Sequence, residues 1–556
     1  MAQRNTTNAI IIGAGPSGIS MAYRLKHDIN FHDFVIYDKL DGPGGTWRAN
    51  TYPGCGCDVH SHLYSFSFNP NPNWSKELCG QPEILQYMED TVDKFDIRKH
   101  IHNSVECVGA AWDNSKSHWE VQLKDSRTGI QYTRTAAILV SAVGGISFPR
   151  EIKFPGMDEF QGAIFHTARW DHSVSYNNKR VAVIGNGCSA AQVVPAIAKD
   201  AAVVKQYARS GQWFHERPNR KYTRIEKLLF GYLPLYQRLI RLQIFLEGDR
   251  DSSTYFPTPQ GLRLRTKKET EAKRYIQSKV PKYAKQITPS FPLGCKRRIF
   301  DPGYLDSLNN TNVDLIPEGI KQFTKNGIIS ASGIEDEYDI IVLATGFQVS
   351  EFLTPMHIVG SHGGTLHGQW KENRGAQAYL GTYVHNFPNL AILFGPNTFP
   401  ANNSALFVCE TQAVFAVKSL FEPLLNKRTS VLEVKQSAED TTTNAIHREL
   451  NNSVFAADCS NWYIGNFGRN AASWPGLARS FWWATYTPRW DNFIMSGPRS
   501  RWWPVYAAMR YLGNLSLATK LVVLAGAAVK VAGWLGYQQA GSLSMLFRLC
   551  SRLLTW

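Results

Sequence analysis

Few cysteines occur in this sequence, and none is arranged for a metal site or a disulfide framework. Nine cysteines are scattered through 556 residues, and their odd number and irregular spacing are untypical of a disulfide-stapled protein. Cys55 and Cys57 lie close together, but no second pair follows at the spacing of a zinc site. The sequence therefore predicts no bound metal and a reducing compartment.

Signatures of nucleic-acid binding and of secretion are missing as well. No RNA-binding motif or zinc-finger spacing accompanies the formal net charge of +15, so phosphorylated ligands and anionic lipids suit this charge better than nucleic acid. The apolar run in the opening stretch MAQRNTTNAIIIGAG is too short for the core of a signal peptide. We expect a protein on the cytoplasmic side of the membrane, with no nucleic-acid partner.

Apolar residues make up 44% of the sequence, a fraction typical of a folded globular protein. The length exceeds what one ordinary core supports, so two or three domains are expected. The apolar stretch 515–536 is long enough to cross a bilayer, although Lys530 would cost about 2.5–3.5 kcal/mol inside it. Arg548 and Arg552 follow four residues apart, as in an interfacial helix. This hydrophobic tail, 515–556, contacts a membrane in one interpretation and packs on the body or a partner subunit in the other.

A glycine-rich turn near the N-terminus has the pattern of a dinucleotide-binding cradle. In AIIIGAGPSGISMAYRL, an apolar strand ends in Gly13-x-Gly15-x-x-Gly18 and a helical pattern follows. These glycines permit a tight turn, the approach of a pyrophosphate and close helix packing, and the helix N-terminus favours an anion. The next strand, DFVIYD, ends in Asp38, which is placed to bind a ribose hydroxyl. The alternative is a tight turn followed by an unrelated acid.

A second glycine-rich turn differs from the first in one chemically informative residue. In KRVAVIGNGCSAAQVVPAIA, Gly185-x-Gly187-x-x-Ala190 follows an apolar strand, and alanine is permitted at the third place. The next strand, AVVKQYARS, ends in Arg209 where the first unit has an acid. An arginine suits a 2′-phosphate. The second cradle is therefore predicted to bind NADP, whereas the first is predicted to bind a nucleotide with a free ribose.

Two cradles in one chain predict an α/β fold with two Rossmann-like dinucleotide-binding domains, and this arrangement resembles the flavoproteins that bind FAD first and NADPH second. AAILVSAVGG and YDIIVLATGF resemble strands of the FAD domain, and both are expected to return to the first sheet. The implied division is an FAD-binding domain in two parts, 1–159 and 334–514, with an NADP-binding domain at 160–333 between them. A basic helical insertion at about 218–289 is interpreted as a solvated cap, with a membrane or partner surface as the alternative.

The segment that joins the two cradles narrows the choice among flavoenzymes. As a plain linker, FQGAIFHTARWD would let His166 and Trp170 share one helix face. Between two cradles, however, it resembles the FxGxxxHxxxW(P/D) fingerprint of type I Baeyer–Villiger monooxygenases at Phe160, Gly162, His166, Trp170 and Asp171. Dithiol flavoprotein reductases are disfavoured because Cys55 and Cys57 are separated by a single residue.

The resemblance covers about residues 8–493. GGTWRANTYPGCGCDVHSHLYSFSF is similar to the family's flavin-side loop, which contains Thr46, Trp47 and Asp58. LGCKRRIFDPGYLDSLNNTNVDLI is similar to the stretch around the family's active-site arginine. GPN at 395–397 and SWPG…PRWDNF resemble fungal natural-product members, whereas the tail after Leu515 has no counterpart.

The resemblance also implies roles for individual residues. Arg297 would be the fixed positive charge that holds activated oxygen in its anionic form, and Asp58 would orient it. The alternative for Asp58 is an aspartate that caps a turn. Lys296 and Arg209 would grip the 2′-phosphate. Ser189 and Ser210 complete the predicted cofactor-binding set, and His166 is assigned to domain movement and cofactor positioning.

The predicted enzyme uses FAD and NADPH to insert one atom of O₂ beside a ketone carbonyl, giving an ester or lactone. The implied substrate is a bulky polyketide or terpenoid ketone of fungal secondary metabolism. An N- or S-oxidising flavin monooxygenase and a membrane-bound nucleotide-binding protein without catalysis are the alternatives. Several tryptophans near the C-terminus form a pocket wall in one interpretation, or core and interfacial anchors in the other. The oligomeric state is left open.

Overall fold

The structure is a computed structural model, and it describes residues 6–513 apart from 147, 427–428, 458, 460 and 466. Strands and helices alternate through much of the chain, as expected for an α/β protein. The strands are β1 (Thr6–Ile12), β2 (Phe34–Asp38), β3 (Ile101–Asn103), β4 (Val105–Asp113), β5 (His118–Asp125), β6 (Gln131–Ser141), β7 (Ala163–His166), β8 (Arg180–Ile184), β9 (Val203–Tyr207), β10 (Phe214–His215), β11 (Ile299–Phe300), β12 (Val313–Ile316), β13 (Ile320–Phe323), β14 (Gly327–Ser330), β15 (Glu335–Glu337), β16 (Ile340–Leu343), β17 (His357–Val359), β18 (Leu390–Ile392), β19 (Val431–Val434) and β20 (Phe493–Ser496).

The helices include one that starts at each cradle, four in an insertion after the second cradle, and several in the C-terminal part of the chain. They are α1 (Pro16–Asp28), α2 (Thr46–Ala49), α3 (Gln81–Lys94), α4 (Cys188–Ile197), α5 (Arg224–Tyr232), α6 (Pro234–Ser252), α7 (Pro259–Lys279), α8 (Ala284–Ile287), α9 (Tyr304–Ser307), α10 (Leu366–Glu372), α11 (Ala405–Ala416), α12 (Glu422–Leu425), α13 (Gln436–Asn451), α14 (Ala478–Tyr486) and α15 (Trp503–Gly513).

The first sheet is built around the strand that leads into the first cradle. Its order is β17-β4-β5-β6-β1-β2-β3, with β18 also paired to β6. The central strand β1 pairs in parallel with both β2 and β6, and its residues Ala9–Ile12 are almost fully buried. A continuous apolar strand is expected where both faces of a parallel sheet are covered. The prediction that AAILVSAVGG, which forms the end of β6, belongs to this sheet is confirmed.

The second sheet is parallel throughout and has the order β12-β9-β8-β16-β7. Its strand β16 is the YDIIVLATGF segment, and it pairs with β8 and β7. The prediction that this segment returns to the first sheet is therefore wrong. The four residues of β16 are all buried. An apolar strand of this kind suits a buried position in either sheet, so its sequence does not indicate which sheet it joins. The second sheet thus extends to Leu343, ten residues beyond the predicted boundary at 333.

The predicted insertion at about 218–289 is helical and consists of α5, α6, α7 and α8; we call these four helices the cap. Helix α5 begins with a capping box between Thr223 and Glu226, and α7 begins at Thr258, whose hydroxyl accepts from the Gly261 N–H. Such side chains satisfy backbone donors that have no partner within the helix. Asp251, at the end of α6, binds Lys268 of α7 within the cap and Arg298 outside it. The contact with Arg298 fastens the cap to the segment that precedes β11.

The chain divides into two compact units. One comprises residues Met1–Glu422 and Val431–Ile494, and the other comprises Pro423–Ser430 and Met495–Trp556. Among the described residues, every helix is too short or too polar to span a bilayer. The hydrophobic tail predicted at 515–556 lies outside the described residues, so its membrane contact stays a prediction.

One pair of cysteines departs from the sequence-based expectation. Cys295 and Cys459, 164 residues apart in the sequence, form a disulfide, while six other cysteines in the described chain are free thiols. Composition gave no sign of this pair because a single bridge between distant residues leaves no spacing pattern. The bridge joins the residue before Lys296 to the loop that follows α13.

Candidate active site

Backbone atoms lie so close to the glycines of the first cradle that they leave almost no room for a side chain. A Cβ on Gly13, whose φ is +109°, would lie 2.6 Å from the carbonyl oxygen of Ala142, and one on Gly18 would lie 2.0 Å from that of Gly13. A Cβ on Gly15 would lie 3.3 Å from Gly45 Cα. Only glycine fits at positions 13 and 18, and position 15 leaves little room for a side chain, as expected where a backbone turns tightly beside a pyrophosphate. The cradle therefore fits the dinucleotide predicted for it.

The loop that carries Thr46 and Trp47 lies beside the first cradle, and so does Asp38. The N–H of Gly44 donates to the carbonyl of Ala14 at 3.0 Å, so the loop that carries Thr46 lies against the cradle. Trp47 is buried and donates from its indole N–H to the Tyr64 hydroxyl at 3.0 Å. Asp38 ends β2 as predicted, and the N–H of Ala14 donates to its carboxylate at 2.6 Å. Burial raises the pKa of Asp38, while the N–H donors of Ala14 and Leu40 oppose the rise.

The second cradle repeats the strand, turn and helix but leaves more space. Gly185 has a φ of +123°, and its Cβ would lie 2.3 Å from the carbonyl oxygen of Ala344. A Cβ on Gly187 would meet no protein atom within 4 Å. Helix α4 begins directly after Gly187 with no side-chain cap, and Ser189 lies in its first turn. The free N–H groups of this helix start are suited to a phosphate.

Three predicted residues gather near the second cradle. Lys296 Nζ donates to the Ser210 hydroxyl at 3.1 Å, and the exposed Arg209 is close enough to act on the lysine charge. Burial and the Arg209 cation both lower the pKa of Lys296. Within the described residues neither cation forms an ion pair with a carboxylate. Two neighbouring cations and the Ser210 hydroxyl fit a phosphate group.

Asp58 and Arg297 are 239 residues apart in the sequence and form an ion pair. Arg297 donates to one oxygen of Asp58 from Nη2 at 2.6 Å and from Nε at 2.9 Å. Burial opposes the charge of Arg297, but the Asp58 carboxylate outweighs it and holds the arginine pKa above its usual value. The Arg297 side chain remains 22% exposed. Asp58 is thus an arginine partner in this structure rather than a turn cap.

The segment Cys295–Arg298 makes a different anchoring contact at each residue. Cys295 is bridged to Cys459, Lys296 reaches Ser210, and Arg297 binds Asp58. Arg298 binds Asp251 of the cap at 2.8 Å. These four contacts fix the backbone that carries Arg297, so the guanidinium is preorganised.

The linker fingerprint folds as the edge of the second sheet. Residues 163–166 form β7 beside β16, and a single 3₁₀ turn follows, so His166 and Trp170 do not share a helix face. Trp170 packs edge-to-face on Phe165 in the core, and Phe160 is buried beneath the same sheet. Gly162 is required because its Cβ would lie 2.4 Å from the Asp339 carbonyl oxygen.

The two polar members of the fingerprint have local partners. Nδ1 of His166 accepts from the Ala168 N–H at 3.0 Å, and burial lowers the pKa of His166 to about 4. The exposed Asp171 accepts from the Ser173 hydroxyl and N–H. A neutral, buried imidazole at the end of β7 is compatible with the predicted positioning role, which stays a prediction.

The loop before Asp58 connects the two cradles. The Tyr52 hydroxyl donates to Gln192 of α4 at 2.7 Å, and Gln192 in turn donates to the carbonyl of Gly56 at 2.9 Å. A Cβ on Gly54 would lie 2.4 Å from the Gln192 carbonyl oxygen. The flavin-side loop therefore lies against the helix of the second cradle.

Sequence reasoning missed several neighbours of Arg297. The guanidinium lies 5.9 Å from the ring centre of Phe399, which packs on Trp462. Tyr463 is buried beside the same arginine, and burial raises its pKa. Arg217 donates to the carbonyl of Cys57 at 2.8 Å. For the three aromatic residues the only signal in the sequence was the aromatic richness of the C-terminal half, which does not identify a contact.

Cys55 and Cys57 are free thiols. Burial raises the pKa of the Cys55 thiol to about 11, and burial with the nearby Asp58 raises that of Cys57 further. Thiols held in the protonated form are poor nucleophiles. This electrostatic setting agrees with the exclusion of dithiol chemistry at this loop.

Comparisons with known proteins agree with this geometry. Residues 10–229 match the pyridine nucleotide-disulphide oxidoreductase family. A Baeyer–Villiger monooxygenase from Pseudomonas aeruginosa is 38% identical over 85% of this chain and 88% of its own. The FAD-binding monooxygenase ktnD from Aspergillus niger is 33% identical over 88% of this chain and 82% of its own.

A solved structure supports the same assignment. Cyclohexanone monooxygenase from Rhodococcus sp. Phi1 bound to NADP+ superposes with a TM-score of 0.77 at 26% identity, over 89% of this chain and 99% of that one. Both nucleotide cradles and the linker between them lie within residues 10–229, which the family model matches. The chain belongs to the Baeyer–Villiger monooxygenase family and is an FAD- and NADPH-dependent monooxygenase.

Proposed function

We propose that the Asp58–Arg297 pair supports the oxygen-transfer step of a ketone oxidation. The observation that carries this proposal is a guanidinium fixed by two hydrogen bonds to one carboxylate oxygen that still keeps part of its surface exposed. A cation that is both fixed and accessible stabilises negative charge as it develops on a reacting atom. The overall reaction consumes a ketone, O₂, NADPH and a proton, and yields an ester or lactone, NADP+ and water.

The cofactors supply the redox chemistry, since bound NADPH provides a hydride and bound FAD activates O₂. The protein residues keep the activated oxygen anionic and aim it. Arg297 stays protonated at every working pH, and the neighbouring carboxylate raises its pKa further. Asp58 fixes the direction of the guanidinium. Because the guanidinium is already in place, neither it nor its surroundings must reorient as negative charge develops during the reaction.

An aromatic wall limits the access of water to Arg297. Phe399 packs on Trp462 with ring centres 5.1 Å apart, and Trp462 packs on Tyr463. The disulfide from Cys295 to Cys459 ties the loop that carries Trp462 and Tyr463 to the arginine segment. Excluding bulk water strengthens the electrostatic effect of Arg297 and protects the activated oxygen from protonation.

FAD occupies the first cradle and NADPH the second in this proposal. The FAD contacts are the backbone at Gly13, Gly15 and Gly18 with Asp38, Thr46 and Trp47. The NADPH contacts are Gly185, Gly187, Ser189 and Ala190, with Arg209, Ser210 and Lys296 at the 2′-phosphate. The spaces left by the glycines and the cation pair beside Ser210 support this placement.

The proposed substrate is a bulky, largely apolar ketone, such as a polyketide or terpenoid intermediate of fungal secondary metabolism. The aromatic rings of Phe399, Trp462 and Tyr463 near Arg297 support an apolar substrate. The resemblance to fungal natural-product enzymes in the sequence around 395–397 supports the larger size. Asn403 binds Asp249 of α6, and Asn402 binds Tyr255 in the connection between α6 and α7, so the cap borders this region.

The test combines anaerobic reduction with product analysis on ketones that range from small rings to polycyclic compounds. Arg297→Ala should still bleach its flavin with NADPH, because hydride transfer depends on the cradles. On admission of oxygen it should release hydrogen peroxide and form about 10²–10³-fold less ester than the wild type, since one preorganised electrostatic partner is lost. Asp58→Ala should show a smaller loss. Polycyclic ketones should be the best substrates of the wild type.

Arg298→Ala is the matched control, because the adjacent arginine binds the cap through Asp251. Its ratio of ester to NADPH consumed should stay much closer to that of the wild type than the ratio of Arg297→Ala, because Arg297 itself and three of the four anchoring contacts of its segment remain. A full ester yield from Arg297→Ala would contradict the proposal and favour a monooxygenase that oxidises nitrogen or sulfur. A wild type without flavin absorbance would favour the interpretation without catalysis.

A further inference from the structure

One face of the cap helix α6 presents leucines to solvent. Leu235, Leu239, Leu242 and Leu246 are 69%, 54%, 50% and 45% exposed. Their spacing of four, three and four residues places them on one side of the helix. The row is about 16 Å long at the helical rise of 1.5 Å per residue. In a water-soluble cap this side of the helix would ordinarily be polar.

The opposite side of α6 is polar and faces the protein. Gln237 is buried and donates to the Asn71 carbonyl at 2.8 Å. Arg241 donates to the carbonyls of His62 and Ser65 at 2.8 and 2.7 Å. Helix α6 is therefore inverted relative to a surface helix, since polar groups point inward and leucines point outward. Core packing does not explain its leucines.

Neighbouring elements expose further large apolar groups. On α5, Ile225, Leu228 and Tyr232 are 70%, 56% and 81% exposed. Helix α14 begins against the end of α6, where the Ala478 N–H donates to Asp249 at 2.8 Å. This helix exposes Trp483 and Tyr486, and such rings are enriched where a protein meets a membrane interface. Monomeric soluble proteins rarely expose apolar residues in groups of this size.

The charge around these residues is mostly positive. Residues 220–247 contain six lysines or arginines and two acids, Glu226 and Glu247, and Glu226 is paired with Arg220. Lys221, Arg224 and Arg238 are exposed. Cations beside exposed leucine and aromatic side chains are the composition of an interfacial surface that binds anionic lipid.

We propose that the exposed apolar residues of α5 and α6, which we call the outer cap surface, dock on an anionic lipid bilayer. A helix of a partner protein would need acidic residues to match the cations, and a second copy of the same surface would bring like charges together. An anionic bilayer supplies both the negative charge that matches the cations and an interface that accepts leucine, tyrosine and tryptophan. The helices lie in the interface and do not span it.

This docking gives the cap a role in substrate supply. Asp251 at the end of α6 binds Arg298, the residue after Arg297, so the lipid-facing helix is tied to the arginine segment. An apolar ketone partitions into lipid, and the docked cap would place the enzyme where such a ketone is concentrated. The supply role rests on the proposed function, whereas lipid binding does not depend on turnover.

The experiment measures co-sedimentation of the full-length holoenzyme with vesicles of phosphatidylcholine, with or without phosphatidylserine. The wild type should bind the phosphatidylserine vesicles, and added salt should weaken this binding. The triple variant Leu235→Gln, Leu239→Gln and Leu242→Gln should partition about 10–100-fold less, because three apolar contacts with the interface are lost. Its FAD content and NADPH oxidation should be unchanged, since these side chains lie outside the core.

Ile130→Gln, Leu262→Gln and Ile334→Gln form the matched control, because these residues are 63%, 45% and 61% exposed elsewhere on the chain. The control should bind like the wild type. A second variant, Lys221→Gln with Arg224→Gln and Arg238→Gln, should lose the preference for phosphatidylserine and keep the weaker binding to phosphatidylcholine. This variant tests the proposal independently of the leucines.

Three outcomes would overturn the proposal. The wild type could fail to bind either kind of vesicle, or the leucine variant could bind as well as the wild type, which would assign the contact to another part of the chain. The third is a dimer in lipid-free solution that dissociates in the leucine variant, which would show that a second copy covers the outer cap surface. Each is distinguishable from failure of the oxygenation proposal, which is measured by ester formation.

Discussion

The two cradles start alike and end differently. Each has a buried parallel strand, a glycine with positive φ and a helix that starts without a side-chain cap. The first closes tightly on Gly18 and leads to Asp38, a buried acid that accepts from the cradle's own backbone. The second is open at Gly187 and leads to Arg209, which lies exposed beside a second cation.

This difference shows how one motif can serve two cofactors, one that stays bound and one that exchanges. The closely packed first cradle suits a cofactor that stays bound through every turnover. The open second cradle suits a coenzyme that enters and leaves, and the proposed role of its cations is to distinguish a phosphorylated ribose from a free one. Three substitutions test this difference between the cradles.

The largest effect is expected from Gly18→Ala. The new Cβ would lie 2.0 Å from the backbone oxygen of Gly13, so the turn must shift. We expect loss of bound FAD, seen as a colourless purified protein, and destabilisation of about 1–3 kcal/mol measured by chemical denaturation. Ala190→Gly, at the same place in the second cradle, is the control and should cost only about 0.5–1 kcal/mol. A yellow Gly18→Ala protein with full FAD content would contradict the tight-packing argument.

Arg209→Ala should have the next largest effect, and only on the phosphorylated coenzyme. Loss of a charge-assisted contact to the 2′-phosphate should cost about 1.5–3 kcal/mol, or about ten- to a hundredfold in NADPH affinity. The affinity for NADH, which has no 2′-phosphate, should hardly change. Binding is measured by titration of the oxidised enzyme with each coenzyme.

Lys199→Ala, an exposed lysine after α4, is the control for a general loss of positive charge from this domain. It should leave both affinities near those of the wild type. Equal weakening of NADPH and NADH by Arg209→Ala would show that Arg209 does not recognise the phosphate.

The smallest effect is expected from Gly187→Ala. Its Cβ would meet no protein atom within 4 Å, so the melting temperature should stay close to that of the wild type. The coenzyme should still bind about tenfold more weakly, because the methyl group occupies the space where the pyrophosphate approaches the backbone. Gly15→Ala is the comparison in the first cradle, where the Cβ lies 3.3 Å from Gly45 Cα. A drop in melting temperature for Gly187→Ala as large as for Gly15→Ala would erase the proposed difference.

The sequence predicted the features that depend on neighbouring residues. Glycine spacing, the strands that lead into the cradles and the helices of the cap all follow from steric limits and periodicity over short stretches. Asp38 and Arg209 were found in the same way, because each follows its cradle at a fixed distance along the chain. The pairing of Asp58 with Arg297 came only from the family resemblance, since 239 residues separate them.

Features that depend on contacts between distant residues became visible only in the folded chain. Ile340–Leu343 joined the second sheet although its apolar sequence suits either one, because burial free energy is non-directional and the surrounding strands make the choice. The Cys295–Cys459 bridge and the aromatic rings beside Arg297 likewise depend on loops brought together by the whole fold. The leucines of α6 face outward because Gln237 and Arg241 find backbone carbonyls inside, and no local pattern specifies which side of a helix meets the protein.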